Sequence, residues 1–439
     1  MTGLRTEIDV SPQLQRIAFK AKQDKRVRFT SLAHLLTPDF LKASFKKLNQ
    51  HGAPGPDEVT MEAFKGNLDA EIDGVWQDLR AGRYRASPVR RVYIPKANGK
   101  RRPLGVPTVR DRTVQRAVGE LIGTVYEPYF KDFSHGFRPG RSTHDALESL
   151  RVTINRNPIR WVVEADIASY FDTVNHQWLM KFLQHRIADR TLLRLVAKWL
   201  KAGVMEGGVV GRSDEGTPQG GPLSPLLANI YLHYVLDMWF DHRFMPTVAG
   251  SCALVRYADD FVVCFEHRHE ADRFRQELEA RFAEFGLRLS VEKTRLIEFG
   301  KESPQNGKTG PTDDLRSFDF LGFKHYMRKR QGKREGVYRV ARKPSRKSRD
   351  KFLDGVKAWV DRYRHLSVWF QAKVLRRKLI GYYGYFGLRH CLPALNHIKW
   401  HVGRLWVMAL RRRSQKHHLW WSSVVRRPWF NSLPDPTLR

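Results

Sequence analysis

The chain has 439 residues, 41% of them hydrophobic, and a formal net charge of +33. That length suits two or three domains with a sizeable core, and the composition argues against wholesale disorder. No apolar run approaches the ~20 residues of a membrane span, and residues 1–28 hold no secretory h-region. The cysteines Cys252, Cys264 and Cys391 include no C-x-x-C pair, which speaks against a zinc ribbon or a disulfide framework and suits a reducing cytoplasm.

The charge is uneven. Residues 1–314 carry 47 Lys/Arg against 39 Asp/Glu, a net of +8, and residues 315–439 carry 31 against 6, a net of +25. Such a field calls for a polyanionic partner, most simply nucleic acid, with an anionic membrane surface as the runner-up.

Residues 1–50 read as a basic, partly helical extension. His51 to Asp57 is a turn-rich break, and Met61 to Leu79 has a helical apolar face. Val89–Lys96 and the return through Pro107 read as a β-hairpin with an Asn-Gly turn. Its tip gathers Lys96, Lys100, Arg101 and Arg102. Such cations are either a solvated edge or a clamp on phosphates. Asp111–Tyr126 reads as a helix, and a second starts at His144 behind Ser142 or Thr143 as cap.

Trp161-Val162-Val163 is a buried-strand run with Asp166 at its end; helices follow through about Leu200. Gly216 to Pro225 is a compressed Gly/Pro loop opening the apolar segment Leu226–Leu236, where glycines let a backbone approach a ligand. Ala253-Leu254-Val255 and Phe261 to Phe265 read as strands around a hairpin tip holding Ala258, Asp259 and Asp260. Adjacent carboxylates repel, so the pair is either a solvated acidic turn or the seat of a cation. Asp166 at the end of another strand favours the cation: the three carboxylates suit one or two Mg²⁺ ions, which take hard oxygen ligands and serve phosphoryl transfer.

Asp272–Phe285 reads as a helix, Leu287–Phe299 as strand-turn-strand, and Ser303–Asp314 as a linker or exposed loop. After the short apolar element Phe318–Phe323 the tail reads as all helical, with helices near Arg349–Arg364, Val368–Phe386 and Leu395–Arg413. Cationic runs Arg376-Arg377-Lys378 and Arg411-Arg412-Arg413 interleave with aromatics that serve either as core or as base-stacking platforms. The pairs His267/His269 and His417/His418 read as surface or RNA-facing residues.

Together these blocks resemble a bacterial group II intron-encoded reverse transcriptase/maturase. The matching segments are Ile94-Pro95-Lys96 through Arg112, Gly136 to Gly140, Ala165-Asp166 through Phe171-Asp172, Thr217 to Gly221, Tyr257 to Asp260, Phe320-Leu321-Gly322 and the thumb-like Gly381 to Phe386. The resemblance implies an α+β right-hand polymerase with fingers, an antiparallel palm sheet and a helical, basic C-terminal thumb/maturase region. Its implied divisions are an extension over 1–50, fingers and palm over 51–314, and the end of the palm plus thumb over 315–439. It implies Asp166 and Asp259 as Mg²⁺ ligands with Asp260 beside them, for two ions. It implies Lys96 and Arg102 on the dNTP triphosphate, Phe171 as a steric gate against ribonucleotides, Gln219 beside the nucleotide sugar and Lys293 near the triphosphate. Arg376, Arg377, Lys378, Arg411, Arg412 and Arg413 are the candidate RNA-binding cations.

The implied partners are intron RNA, an RNA template with a DNA or RNA primer, target DNA and dNTPs, with no membrane. The longest family members carry a Cys/His endonuclease whose cysteines are lacking here, so no target cleavage is expected. Two other readings stand beside this one. The first is a domesticated reverse transcriptase in phage defence or spacer acquisition. The second is an RNA-binding splicing factor with a vestigial polymerase, against which the intact Asp166, Asp259 and Asp260 argue.

Overall fold

The computed structural model describes residues 12–95, 101–206, 209–211, 216, 220–300, 316–329, 338–413 and 419–438. The strands are β1 (Val89–Pro95), β2 (Arg101–Val106), β3 (Trp161–Asp166), β4 (Val204–Glu206), β5 (Val209–Gly211), β6 (Cys252–Tyr257), β7 (Asp260–Phe265), β8 (Arg295–Glu298), β9 (Phe318–Phe320), β10 (Phe323–Lys329) and β11 (Tyr338–Pro344). They form three sheets, ordered β2-β1-β4-β5, β6-β7-β3-β8 and β11-β10-β9. The result is a mixed helix and strand protein, as the sequence implies. Among the described residues no helix is long and apolar enough to cross a membrane.

The sheet β6-β7-β3-β8 is antiparallel throughout. The stretches Trp161–Val163, Ala253–Val255 and Phe261–Phe265 read as apolar runs because both faces of the sheet are covered there. Successive side chains alternate between faces. Val163, Ala165, Phe261, Val263 and Phe265 enter a core shared with the helix Val109–Tyr126 and the N-terminal helices. Val162, Val262 and Cys264 enter a second core built with β9–β11 and the C-terminal helices. Phe261 and Phe265 are fully buried, and truncating either to Ala costs about 3–5 kcal/mol.

Several helix starts follow the expected chemistry. Thr108 caps Val109–Tyr126 by accepting from the Asp111 amide at 3.0 Å. Ser142 forms a capping box with Asp145 at the head of Thr143–Arg156. The expected helix from Met61 to Leu79 instead divides into Met61–Gly66 and Leu68–Arg80, broken at Asn67 with φ −121° and ψ 27°. Gly66 and Asn67 are both weak helix formers.

The Leu226–Leu236 segment starts as the helix Ser224–Leu232 and then widens into π-turns, His233–Asp237 and Phe240–Phe244. Leu287–Phe299 is not strand-turn-strand: only β8 is a strand, and Leu289 makes a single antiparallel bridge to Ile167. The tail is not all helical either. β10 and β11 form a hairpin ahead of the helices Arg346–Arg362, Val368–Phe386 and Leu392–Arg411. Its strands alternate buried residues such as Phe323 and His325 with cations, and the high charge hides the period.

Gln371 is the polar node of this helical region. Its amide donates to the carbonyls of Tyr363, Arg364 and Leu366, and its oxygen accepts from Trp406 at 2.7 Å. The segment from Arg426 onward packs against these helices. Pro428–Asn431 is helical, Leu433 is buried and Asp435 pairs with Lys399 at 2.6 Å. Ser303–Asp314, the hairpin tip from Lys96 to Lys100 and the pair His417/His418 lie outside the described residues.

Candidate active site

Asp166, Asp259 and Asp260 lie at one end of the sheet β6-β7-β3-β8, close enough for the charges of the first two to act on the third. Asp166 ends β3 and stands directly opposite Asp260, the first residue of β7. Asp260 is also the partner of Tyr257 across the hairpin, so Ala258 and Asp259 form a two-residue turn. Ala258 has φ +58°. An L-residue held there costs roughly 1–2 kcal/mol, and such strain persists only where surrounding structure over-determines it.

The surroundings do so. Gly136 lies so close to the turn that an added Cβ would sit 2.9 Å from the Tyr257 carbonyl carbon, backbone against backbone. A side chain there would push the hairpin away.

Lys293 reaches the same place from the far side. The Ser290 amide donates to the Asp166 carbonyl at 2.8 Å, and the Lys293 ammonium forms an ion pair with the Asp166 carboxylate. That bond raises the Lys293 pKa. Burial first, then the charges of Asp166, Asp259 and Glu164, push the Asp260 carboxyl up to about 7. The Leu321 amide, in the β9–β10 turn, donates to it and works the other way. Glu164 is raised by burial as well and is held by Arg295 at 2.6 Å.

Crowded carboxylates with a lysine ammonium drawn onto one of them are a donor set that wants positive charge. The residues present fit a divalent metal ion. Among the described residues no three His, Cys, Asp or Glu side chains are grouped so as to hold a metal ion by themselves, so substrate or water oxygens would supply the rest of the coordination, as Mg²⁺ commonly requires.

Phe171 lies on the short helix Tyr170–Thr173, half-buried, its ring 5.5 Å from that of Tyr170. The loop that opens at Gly216 is tied to this helix. The Gly216 amide donates to the Val174 carbonyl at 2.9 Å, and His176 bonds the Gly216 carbonyl at 2.6 Å. Lys96 and Gln219 lie outside the described residues. Arg102 is described by its backbone, which pairs with Ile94 across β1 and β2.

The candidate RNA-binding cations lie on the C-terminal helices or, for Arg412 and Arg413, just past the last long one, and several have partners in their own chain. Arg376 donates to the Ser432 carbonyl at 3.0 Å, and Arg377 is exposed. Lys378 lines a groove of about 380 Å³ with Phe352, Tyr382 and Tyr385. Arg411 donates to the Leu419 carbonyl at 2.8 Å, Arg412 pairs with Asp361 at 3.2 Å, and Arg413 donates to the Leu366 carbonyl. His267 and His269 stack on each other at 5.6 Å.

Sequence reading passed over Arg256, Asp237 and Asn229. Arg256 lies within β6, fully buried, and grips Asp237 at 2.7 and 2.5 Å. Burial works to raise the Asp237 carboxyl; Arg256 and His233 together outweigh it and hold the group below its ordinary value. The signal was an arginine inside an apolar strand and an aspartate inside an apolar helix, because a buried charge needs a partner.

Comparison with known proteins shows the family in which this arrangement occurs. The reverse transcriptase (RNA-dependent DNA polymerase) family profile matches residues 94–325, and the chain belongs to that family. It is an RNA-directed DNA polymerase by that membership, in a class that uses divalent metal ions and acts on nucleic acid.

Among its relatives, Protein YkfC of Escherichia coli (strain K12) is 36% identical over 322 residues, covering 65% of this chain and 84% of that protein. The group II intron-encoded protein LtrA of Lactococcus lactis subsp. cremoris is 40% identical over 238 residues, 52% of this chain and 39% of LtrA. Nuclear intron maturase 4, mitochondrial, of Arabidopsis thaliana is 30% identical over 144 residues, 32% of this chain and 17% of the maturase. The resemblance to group II intron reverse transcriptases read from the sequence is therefore shown.

Proposed function

We propose that the protein is the reverse transcriptase of a group II intron. It copies RNA into DNA from a DNA or RNA primer, and it holds intron RNA to assist splicing and movement into target DNA in the cytoplasm. On this reading β6-β7-β3-β8 is the palm. The sheet β2-β1-β4-β5 and its helices are the fingers, and the helices from Arg346 to Arg411 are the thumb. The divisions 1–50, 51–314 and 315–439 follow from it.

The observation that carries the reading is the register of Asp166 against Asp260 with Asp259 at the turn between β6 and β7. Asp166 and Asp259 would hold two Mg²⁺ ions, with Asp260 beside them. Such ions make the primer 3′-hydroxyl more acidic and steady the departing pyrophosphate. Lys293 would leave Asp166 and offer its charge to the triphosphate, with Lys96 and Arg102 on the phosphates from the fingers. Phe171 would stand where a 2′-hydroxyl collides, and Gln219 beside the sugar. Arg376, Arg377, Lys378, Arg411, Arg412 and Arg413 belong to the surface that meets RNA.

The test is primer extension on an RNA template with Mg²⁺ and each of the four dNTPs, alongside splicing of a group II intron RNA with and without the protein. Templated DNA synthesis plus stimulated splicing supports the whole reading. Synthesis without any effect on an intron encoded beside the gene removes the maturase half.

A further inference from the structure

The catalytic hairpin is held from behind by a chain of buried polar contacts. Arg256, two residues before Ala258, spends its guanidinium in three directions. One edge grips Asp237 in bidentate fashion. Nη1 donates to the Ala258 carbonyl at 3.0 Å, inside the turn that carries Asp259, and to Asn229 Oδ1 at 3.1 Å. Asn229 in turn donates to the Gly136 carbonyl at 2.6 Å, on the loop pressed against that same turn. The Arg256 backbone completes the tie: its amide donates to Phe133 at 2.9 Å and its carbonyl accepts from His135 at 2.8 Å. Asp237 closes the π-turn His233–Asp237, and a widened turn of this kind redirects side chains that a regular helix would aim elsewhere.

A buried ion pair is a poor way to gain stability, because well-packed apolar residues serve as well or better. What this one supplies is direction. Arginine's planar fork fixes Asp237, Asn229 and the turn carbonyl in one plane, which a lysine ammonium cannot do. We propose that Arg256, through Asp237 and Asn229, is a positioning residue for nucleotidyl transfer. It locks the Ala258-Asp259 turn to the 133–137 loop so that the Asp259 carboxylate is presented to the divalent ions in a fixed direction. The proposal rests on the polymerase reading of Asp166 and Asp259.

The experiment compares Asn229→Ala, Arg256→Lys and a control, Tyr231→Phe, which loses a buried hydrogen bond to the Phe285 carbonyl away from the hairpin. Three quantities are read on the full chain: the melting temperature, kcat and KM for dNTP in primer extension, and Mn²⁺ affinity by the EPR signal of free Mn²⁺ without nucleotide. Asn229→Ala leaves the Arg256–Asp237 pair intact. It should lower kcat by about 10²-fold, the usual effect of a misplaced group, with KM nearly unchanged. Its Mn²⁺ affinity should fall several-fold, while Tyr231→Phe lowers only the melting temperature.

Arg256→Lys should show the larger defect in both readouts; should it lose its melting transition, Asn229→Ala decides alone. Wild-type kcat and Mn²⁺ affinity in Asn229→Ala, whatever its melting temperature, overturn the proposal. Absence of Mn²⁺ binding and of extension in the wild type instead overturns the metal reading of the carboxylates.

Discussion

The two halves of the molecule use charge in opposite ways. At the end of β6-β7-β3-β8 a few carboxylates are brought together by strand register, on a hairpin tied from behind by the buried Arg256, in a stretch whose net charge to residue 314 is only +8. In residues 315–439 a net charge of +25 is spread over helix surfaces, and many of its cations bond to their own chain. The first arrangement places single atoms, so removing one should be close to all-or-none. The second sums many exposed charges, so each removal should count a little and be screened by salt. Each variant below is a way to break that contrast.

The largest effect is expected from Asp259→Asn. Loss of one metal-facing carboxylate should cut dNTP incorporation by about 10³-fold or more, the scale of several kcal/mol of charge stabilisation, with folding and RNA affinity kept. Primer extension and filter binding on the same preparation measure both. Near-normal extension would remove Asp259 from the metal site.

Next in size is Phe171→Ala. It removes a collision rather than an attraction, so ribonucleotide incorporation should rise relative to dNTP by roughly 10–100-fold. An unchanged ratio in an active variant would mean that Phe171 is only a packing partner of Tyr170.

In residues 315–439 the effects should be graded. If Arg376, Arg377 and Lys378 meet phosphates, replacing them with Gln should flatten the dependence of log affinity on log salt by about 0.7–0.9 for each phosphate no longer neutralised. Polymerisation on a short bound primer-template should change little. Replacing Arg411, Arg412 and Arg413 should cost more stability: those side chains bond Leu419, Asp361 and Leu366, against the single Arg376–Ser432 bond of the first set, so the melting temperature should fall further along with the slope. Equal melting temperatures for the two triple variants would break that distinction.

How much of this was legible in the sequence follows from the same contrast. β3, β6 and β7 were readable because the apolar runs Trp161–Val163, Ala253–Val255 and Phe261–Phe265 are buried on both faces, and Asp166, Asp259 and Asp260 end or separate them visibly. The β10–β11 hairpin was not, because lysines and arginines occupy its alternate positions and mask a period of two. The π-turn at His233–Asp237 keeps the apolar composition of the helix before it, so nothing local announces the change of ladder. The ties of Arg256 to Asn229 and Gly136 join residues far apart in sequence; only the unpaired look of a charge in an apolar run hinted at them. Similarly, nothing in Arg411-Arg412-Arg413 says which of its donors face their own chain.

The smallest effect on activity, and the cleanest on stability, is expected at His325. Its ring is fully buried in β10 and stacked on Phe318 at 4.9 Å and 5°. Burial first, then Arg342, pushes its pKa down to about 3. The folded state therefore keeps this imidazole neutral, while the unfolded chain takes up a proton below its ordinary value near 6.5. Below about pH 6.5 the unfolded state binds more protons, so stability is lost as pH falls from there toward 3. At pH 5 the loss due to this one residue is about 2 kcal/mol. His325→Phe keeps an aromatic ring beside Phe318 and removes the titration. Between pH 7 and pH 5 the variant should lose less stability than the wild type by about that amount, with primer extension at pH 7 unaltered. Urea unfolding at the two pH values measures the difference. Parallel losses in the two proteins would mean that acid opens this second core through other groups, with Arg342 and its partner Glu148 the nearest.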